Sequence, residues 1–149
     1  MITIQRTTSN NADFKYLTQL FDDYLVDIDG DEKDFFAQFN QIYLDHVIVC
    51  YEDGLAIGCG SFKENQPKVA EIKRMFVLPE QRGKGIAVLI LNELEVWAAT
   101  LGYEFAILET SVRLESAIAL YKKSGYKIIP NYGQYIGVES SVCMTKTIK

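Results

Sequence analysis

The chain has 149 residues, 48% of them apolar and 23% charged, with a formal net charge of −5. This length and balance are typical of one globular domain with a buried core, and they argue against a disordered chain. No apolar run approaches the roughly 18 residues of a membrane-spanning helix, and the first residues lack the long apolar segment of a secretion signal. We therefore expect a single domain over residues 1–149, in the cytoplasm and without a membrane partner.

Metal, disulfide and nucleic-acid sites are also disfavoured. The cysteines Cys50, Cys59 and Cys143 are widely spaced and occur with only one histidine, His46, so neither a disulfide framework nor a metal site is expected. The sequence has no stripe of basic residues with interleaved aromatics, which argues against a nucleic-acid partner. Acidic residues concentrate between positions 22 and 34. Such a cluster is typical of a solvated surface, but it would also attract a cationic substrate.

Hydrophobic periodicity divides the chain into strands and helices. Apolar residues recur every three or four positions in the predicted helices, and they alternate or form short runs in the predicted strands. Turn residues, such as Gly54 and Pro67, separate the segments. The predicted strands cover residues 2–6, 46–51, 55–62, 68–78, 105–108, 126–129 and 141–148. The predicted helices cover residues 14–28, 35–43, 83–101 and 114–123.

The order of these segments is β-α-α-β-β-β-α-β-α-β-β. Consecutive short strands separated by turn signals favour antiparallel hairpins, and the later strand-helix-strand unit requires a crossover between parallel strands. The sequence therefore predicts an α/β domain, in which a mixed sheet carries helices on both faces.

The turn between the fourth strand and the third helix carries the most informative residues. Gly83 and Gly85 lack a Cβ, so unusual dihedrals cost little there and a ligand can approach the backbone. The N–H groups that open the following helix have no intrahelical partners, and the helix dipole favours an anion beside them. A phosphate or pyrophosphate fits such a place. The spacing is not that of a Walker P-loop, and a dinucleotide-binding fold would carry its glycines after the first strand.

Two motifs extend this interpretation to a family. The run from Arg82 to Ala87 resembles the acyl-CoA pyrophosphate motif Q/R-x-x-G-x-G/A of the GNAT acetyltransferases, with Arg82, Gly85 and Ala87 at the defining positions. Residues 75–79 look like the end of that family's fourth strand. Residues 117–126 resemble its second signature, A-x-x-L-Y-x-x-x-G-F/Y. The resemblance covers nearly the whole chain and is weakest over residues 8–45.

The resemblance implies the acyl-CoA N-acyltransferase fold, whose mixed and mostly antiparallel sheet is flanked by helices and splayed between strands 4 and 5. It also implies acetyl-CoA as cosubstrate and no metal. The backbone of residues 75–77 would pair with pantetheine and present an N–H to the thioester oxygen, and residues 82–87 would hold the pyrophosphate. The implied cofactor contacts are Met75, Phe76, Val77, Arg82, Gly83, Lys84, Gly85, Ile86 and Ala87.

Two residues are expected to act in catalysis. Tyr121 matches the family tyrosine near the sulfur, where a phenol donates to the leaving thiolate; the alternative is a plain core aromatic. Glu71 is the expected general base, since the attacking amine must lose a proton; the alternative is a strand carboxylate paired with Lys73 or an arginine. A water chain could remove the proton instead of Glu71, and Glu109 and Asp27 are weaker candidates for the base.

The acceptor side is less specified. Candidate acceptor contacts are Tyr24, Asp27, Tyr132 and Tyr135, although the last two would equally suit a sheet edge. We expect an N-acetyltransferase that moves the acetyl group from acetyl-CoA directly to a primary amine of a small molecule or peptide in a ternary complex, since no cysteine lies near either motif in sequence. The protein would be a monomer or a homodimer.

Two alternatives stay open. Leu114 stands where many relatives carry an asparagine, which leaves room for a non-catalytic acyl-CoA-binding or sensor module. The other is an acyltransferase that uses a different acyl donor or a hydroxyl acceptor.

Overall fold

The computed structural model describes residues 1–40 and 42–149. In this part of the chain the strands are β1 (Ile2–Thr7), β2 (His46–Glu52), β3 (Leu55–Gln66), β4 (Val69–Val77), β5 (Phe105–Ser111), β6 (Lys127–Ile129) and β7 (Ser141–Thr147). The α-helices are α1 (Ala12–Asp29), α2 (Lys33–Asn40), α3 (Ile86–Thr100) and α4 (Glu115–Lys123). The strand order in the sheet is β1-β2-β3-β4-β5-β7-β6. The predicted mixed, mostly antiparallel sheet with flanking helices is confirmed.

The predicted order of elements is also confirmed, and the differences lie at element ends. The second helix was predicted to reach Tyr43, but α2 ends at Asn40, and Ile42 and Tyr43 are exposed and not helical. Residue 41, also inside that prediction, lies outside the described residues. β3 and β5 run four and three residues further than predicted, to Gln66 and Ser111.

The third helix begins later than predicted because of its glycines. Gly83 and Gly85 have φ values of 80° and 81°, which an α-helix does not accommodate. The helix therefore opens at Ile86, and both glycines belong to the turn before it.

The described chain divides into two compact units. The first unit contains Met1–Lys63 and Lys73–Leu94, and the second contains Glu64–Ile72 and Glu95–Lys149. Both β4 and α3 contribute residues to each unit.

The core of the first unit lies between α1 and the strands β2, β3 and β4, and β2 pairs antiparallel with both β1 and β3. The Asn11 side chain accepts a hydrogen bond from the Phe14 N–H at 2.9 Å, which fixes the start of α1. The buried cluster contains Phe14, Leu17, Leu44, Val47, Val49, Ala56, Cys59 and Phe76. On β3, a Cβ at Gly60 would lie 2.5 Å from Met75 Sδ and 2.9 Å from the Ile90 side chain, so a larger residue there would require these side chains to shift.

The second unit is built on a short parallel ladder and longer antiparallel ones. β4 pairs with β5 from Val69↔Phe105 to Glu71↔Ile107, whereas β7 pairs antiparallel with both β5 and β6. Although β4 continues to Val77, no further pair with β5 occurs among the described residues. The early end of this ladder agrees with the predicted splay between the fourth and fifth strands.

A buried carboxylate on α3 is paired with residues of the second unit. Glu95 accepts hydrogen bonds from the Tyr126 hydroxyl at 2.8 Å and from Lys146 Nζ at 2.7 Å. The negative charge is thereby compensated by one cation and one hydroxyl, as a buried charge requires.

Within residues 1–40 and 42–149, no helix combines the length and the apolar character that a bilayer crossing needs.

Candidate functional site

The turn between β4 and α3, in the first unit, leads directly into the N-terminus of a helix. The first bond of the helix that follows the turn runs from the Leu89 N–H to the Gly85 carbonyl at 3.1 Å. The N–H groups of residues 86–88 precede it, so the helix itself offers them no acceptor. A Cβ at Gly83 or Gly85 would meet no atom within 4 Å. The glycines are therefore required by their positive φ and not by a lack of room.

Positive charge gathers at this turn. Lys84 Nζ donates to Gln81 Oε1 at 3.2 Å, and the first turn of α3 contains no acidic residue. A cationic side chain and the positive end of the helix dipole therefore meet without a carboxylate in that first turn. This combination suits a bound anion.

Arg82 is turned back toward the end of β4. Its Nε donates to the Val77 carbonyl at 2.9 Å, and its guanidinium carbon lies 5.6 Å from the Tyr24 ring centroid and 5.7 Å from that of Phe76. Tyr24, predicted as an acceptor contact, thus lies beside the arginine of the cofactor motif. Asp27, the other candidate on α1, is exposed.

Strand β4, which precedes the glycine turn, has a strained backbone at Arg74. Arg74 has φ 58° within β4, a region that non-glycine residues rarely adopt. Two other non-glycine residues with positive φ, Asp53 and Lys68, lie in hairpin turns, where such values are common. Strained residues of this kind concentrate at functional sites. This left-handed departure from the extended strand, named the Arg74 turn, was not predicted from the sequence.

Glu71 and Tyr132 form a hydrogen-bonded pair in a polar cluster of the second unit. Glu71 is only 3% exposed, and the Tyr132 hydroxyl donates to its Oε2 at 2.7 Å. Burial, followed by the Glu71 carboxylate, raises the pKa of Tyr132 well above its usual range. The phenol therefore stays protonated and acts as a hydrogen-bond donor to the carboxylate.

A second carboxylate and a thiol lie on the same sheet face as Glu71. Glu71 is opposite Ile107, two residues before Glu109, and Glu109 is opposite Cys143. Side chains at such positions share one face, because strands alternate with a period of two. The Ser141 hydroxyl donates to Glu109 Oε2 at 2.7 Å. Burial raises the pKa of Cys143 to about 11, and the Glu109 and Glu71 carboxylates add to the effect.

Sequence reasoning did not place Cys143 at this cluster. The residue is distant from both motifs in sequence, and it comes close because β7 pairs antiparallel with β5. The alternation of apolar and polar residues in β7 predicts on which face of the sheet each side chain lies. It does not predict the register between the strands.

Three tyrosines complete the second unit's cluster. Tyr121 on α4 is buried and packs edge-on against Tyr126, with ring centroids 5.8 Å apart. Burial and the Glu109 carboxylate raise its pKa. Tyr135 packs edge-on against Tyr132 at 5.7 Å, and burial, with Glu109 and Glu71, raises its pKa. Of the four predicted acceptor contacts, Tyr132 and Tyr135 thus lie near Glu71 in the second unit, whereas Tyr24 and Asp27 belong to the first.

Across the described ranges, no group of three or more histidine, cysteine, aspartate and glutamate side chains is arranged to hold a metal ion.

Comparison with known proteins agrees with the fold and the motifs. The chain is 29% identical to an IAA acetyltransferase of Azospirillum brasilense, over 99% of this chain and 98% of that one. It superposes with a TM-score of 0.84 and 26% identity on a structure described as an acyl-CoA N-acyltransferase of Klebsiella pneumoniae, covering 100% of this chain and 99% of that chain. A Salmonella typhimurium protein described as an acetyltransferase, and solved with acetyl-CoA, has a TM-score of 0.71 at 18% identity, covering 100% and 95%. At that identity the likeness bears on the fold alone.

The model of the acetyltransferase (GNAT) family matches residues 14–126, which is more than half of the chain. That match includes both sequence motifs and the turn between β4 and α3. The chain belongs to the GNAT acetyltransferase family.

Proposed function

We propose that this protein transfers the acetyl group of acetyl-CoA directly to a primary amine of a small molecule or peptide. Membership of the family establishes an acyltransferase; the acetyl donor, the amine acceptor and the direct route are the proposal. The observation that carries it is the turn at Gly83–Gly85, where a left-handed backbone delivers the unpaired N–H groups of α3 beside a cationic side chain.

The residues of this turn fit the pyrophosphate of coenzyme A. N–H groups of residues 86–88 would bind the phosphate oxygens, and Arg82 and Lys84 would add positive charge. The backbone of residues 75–77 would pair with the pantetheine arm in the manner of an added strand. The Salmonella typhimurium protein, which shares the fold, was solved with acetyl-CoA bound, so this fold accommodates the proposed cosubstrate.

Proton transfer is assigned to the second unit. An alkylamine with a pKa near 10.4 is mostly protonated at neutral pH, so a base must remove a proton before attack. We assign this role to Glu71, whose carboxylate is buried and oriented by the Tyr132 hydroxyl. As the amine nitrogen bonds to the acetyl carbon, the carbon–sulfur bond breaks. The proton that the amine loses balances the proton that the coenzyme A thiolate gains.

Tyr121 is assigned to the leaving thiolate. Its raised pKa means that the phenol holds its proton tightly, so it would stabilise the thiolate by donating a hydrogen bond more readily than by giving up the proton. This stabilisation is strongest in the transition state, when the sulfur carries most charge.

The thiol of Cys143 supports the direct route. A covalent acetyl-enzyme needs a thiolate nucleophile, but with a pKa of about 11 this thiol is protonated at neutral pH. We therefore assign no nucleophilic step to the enzyme itself.

A non-catalytic acyl-CoA sensor is the second candidate. Leu114 is the N-cap of α4 and its side chain makes no capping hydrogen bond, whereas the asparagine of many relatives could accept one. The start of the helix that carries Tyr121 is therefore less constrained by its own side chains. A sensor would retain acetyl-CoA binding without turnover.

The test of the function is an acceptor screen. Acetyl-CoA is incubated with amino acids, polyamines, aminoglycosides, peptides and IAA, the last because of the name of the Azospirillum brasilense relative. We expect coenzyme A release to depend on one class of amine, with an acetylated product in the mass spectrum. Tight acetyl-CoA binding without turnover on any acceptor would support the sensor. Faster transfer from a longer acyl-CoA, or to a hydroxyl group, would correct the donor or acceptor.

Replacing Gly85 by aspartate should abolish detectable acetyl-CoA binding in calorimetry. The substitution places a carboxylate among the N–H groups and forces a side chain onto φ 81°. Gly137→Asp is the matched control, because Gly137 also has φ 81° and open space around a Cβ. The control substitution should lower the free energy of unfolding by a similar amount, but it should leave the affinity for acetyl-CoA unchanged. Equal affinity in both variants would contradict the pyrophosphate assignment.

Glu71→Gln should slow transfer by about 10²–10⁴-fold at neutral pH, the usual contribution of general acid–base catalysis. The deficit should shrink as the pH approaches the pKa of the amine near 10.4, where the acceptor loses its proton without help. Rates across this pH range are compared with those of Glu109→Gln, the alternative base on the same sheet face. A loss in Glu71→Gln that does not change with pH would indicate a structural role.

The raised thiol pKa predicts a loss of stability in alkali. Cys143 titrates near 8.5 in the unfolded chain and at about 11 in the folded protein, so the folded state keeps a proton that the unfolded state loses. This stabilisation is complete below pH 8.5 and declines toward pH 11. In Cys143→Ala, the fall in Tm over this range should be shallower than in the parent protein. An equally steep fall would mean that the thiol does not have the raised pKa.

A further inference from the structure

The left-handed turn at Arg74 is fixed from the β3 side by side-chain donors. The Ser61 hydroxyl donates to the Lys73 carbonyl at 2.7 Å, and the Cys59 thiol donates to the Arg74 carbonyl at 3.5 Å. Both donors are fully buried. The carbonyls of Lys73 and Arg74, which are consecutive in β4, therefore both accept hydrogen bonds from β3 side chains, at the residue with the left-handed φ.

The same turn is fixed from the α1 side by the arginine itself. Arg74 Nη2 donates to Asp22 Oδ1 at 2.7 Å and to the Thr18 carbonyl at 3.1 Å. The guanidinium carbon lies 5.1 Å from the centroid of the Phe21 ring. The side chain of Arg74 is only 4% exposed, against 30% for Asp22, so the guanidinium is removed from water while the carboxylate stays partly exposed.

Stability alone does not account for this arrangement. Burying a charged pair costs desolvation that a well-packed apolar side chain would not incur. The compensation is also incomplete, because Arg74 Nη1 is buried without a hydrogen-bond partner in the described part of the chain. In addition, the residue occupies a backbone conformation that a glycine would adopt with less strain. Arg74 is therefore better explained by the backbone geometry that it maintains in β4 than by a gain in stability.

We propose that Arg74 is a positioning residue, whose ion pair with Asp22 holds β4 in the turned conformation that presents the backbone of Met75–Val77 to acyl-CoA. These three residues follow the turn directly, so its dihedrals set the direction of their N–H and carbonyl groups. The proposal rests on the function proposed above, because it assigns the backbone of residues 75–77 to pantetheine and the thioester.

Two substitutions separate positioning from packing. Arg74→Met removes the ion pair but keeps an aliphatic stem against Phe21, and it leaves a side chain that disfavours a positive φ. Arg74→Gly removes the packing as well but adopts the positive φ readily. A packing role predicts that methionine is the milder change. A positioning role predicts that glycine keeps tighter acetyl-CoA binding, although its Tm falls further.

Acetyl-CoA affinity is measured by calorimetry, beside Tm, for both variants and for Asp22→Asn. We expect the Kd to rise about ten-fold in Arg74→Met, equivalent to about 1.4 kcal/mol, and less in Arg74→Gly. Lys68→Met and Lys68→Gly are the matched controls, since Lys68 also has a positive φ, of 68°, but lies in a hairpin turn and outside the cofactor contacts. Neither control should change the Kd.

Amide hydrogen exchange of residues 75–77, measured without ligand, provides a readout that does not depend on the proposed function. Exchange there should be faster in Arg74→Met than in the parent, and slower in Arg74→Gly than in Arg74→Met. If the parent does not bind acetyl-CoA, the proposed function fails while the exchange data still test the turn. If the parent binds and the Kd in Arg74→Met is unchanged, or the order of the two variants is reversed, the positioning role is wrong.

Discussion

The length of the β4–β5 ladder is the constraint on which the remaining features depend. Backbone N–H and carbonyl groups inside a ladder are already paired, so a strand that stays paired along its whole length has none to offer a ligand on that side. Here the ladder ends at Glu71↔Ile107, the dihedrals of β4 change at Arg74, and the strand then leads into the glycine turn. Along the sequence, a buried carboxylate and a left-handed residue in this strand are thus followed by the proposed anion site.

Much of this organisation could be predicted from the sequence. The apolar periods predicted every strand and α-helix in order, and Gly83 and Gly85 predicted a backbone that only glycine adopts easily. The turn at Arg74 was not predictable, because a positive φ at an arginine has no local sequence signal and follows from contacts with residues 18, 22, 59 and 61. Cys143 beside Glu109 was missed for a related reason: strand register is a tertiary property that alternation does not determine.

The second unit groups acidic and phenolic side chains in a way that separates their roles. Glu71 and Glu109 both accept hydrogen bonds from hydroxyl groups, those of Tyr132 and Ser141 respectively. Burial keeps the phenols and the Cys143 thiol protonated. The cluster therefore groups carboxylates that accept hydrogen bonds with hydroxyls that donate them, a division that would suit the proposed amine acceptor.

The glycine at position 60 gives the first unit a sensitivity to substitutions remote from the turn. Because its missing Cβ leaves room for the ends of the Ile90 and Met75 side chains, a larger residue there would require both side chains to shift. Ile90 belongs to the helix whose N-terminus forms the proposed anion site, and Met75 opens the segment assigned to pantetheine. A methyl group added at position 60 would thus act on both proposed cofactor contacts from the core, although position 60 lies outside the motif.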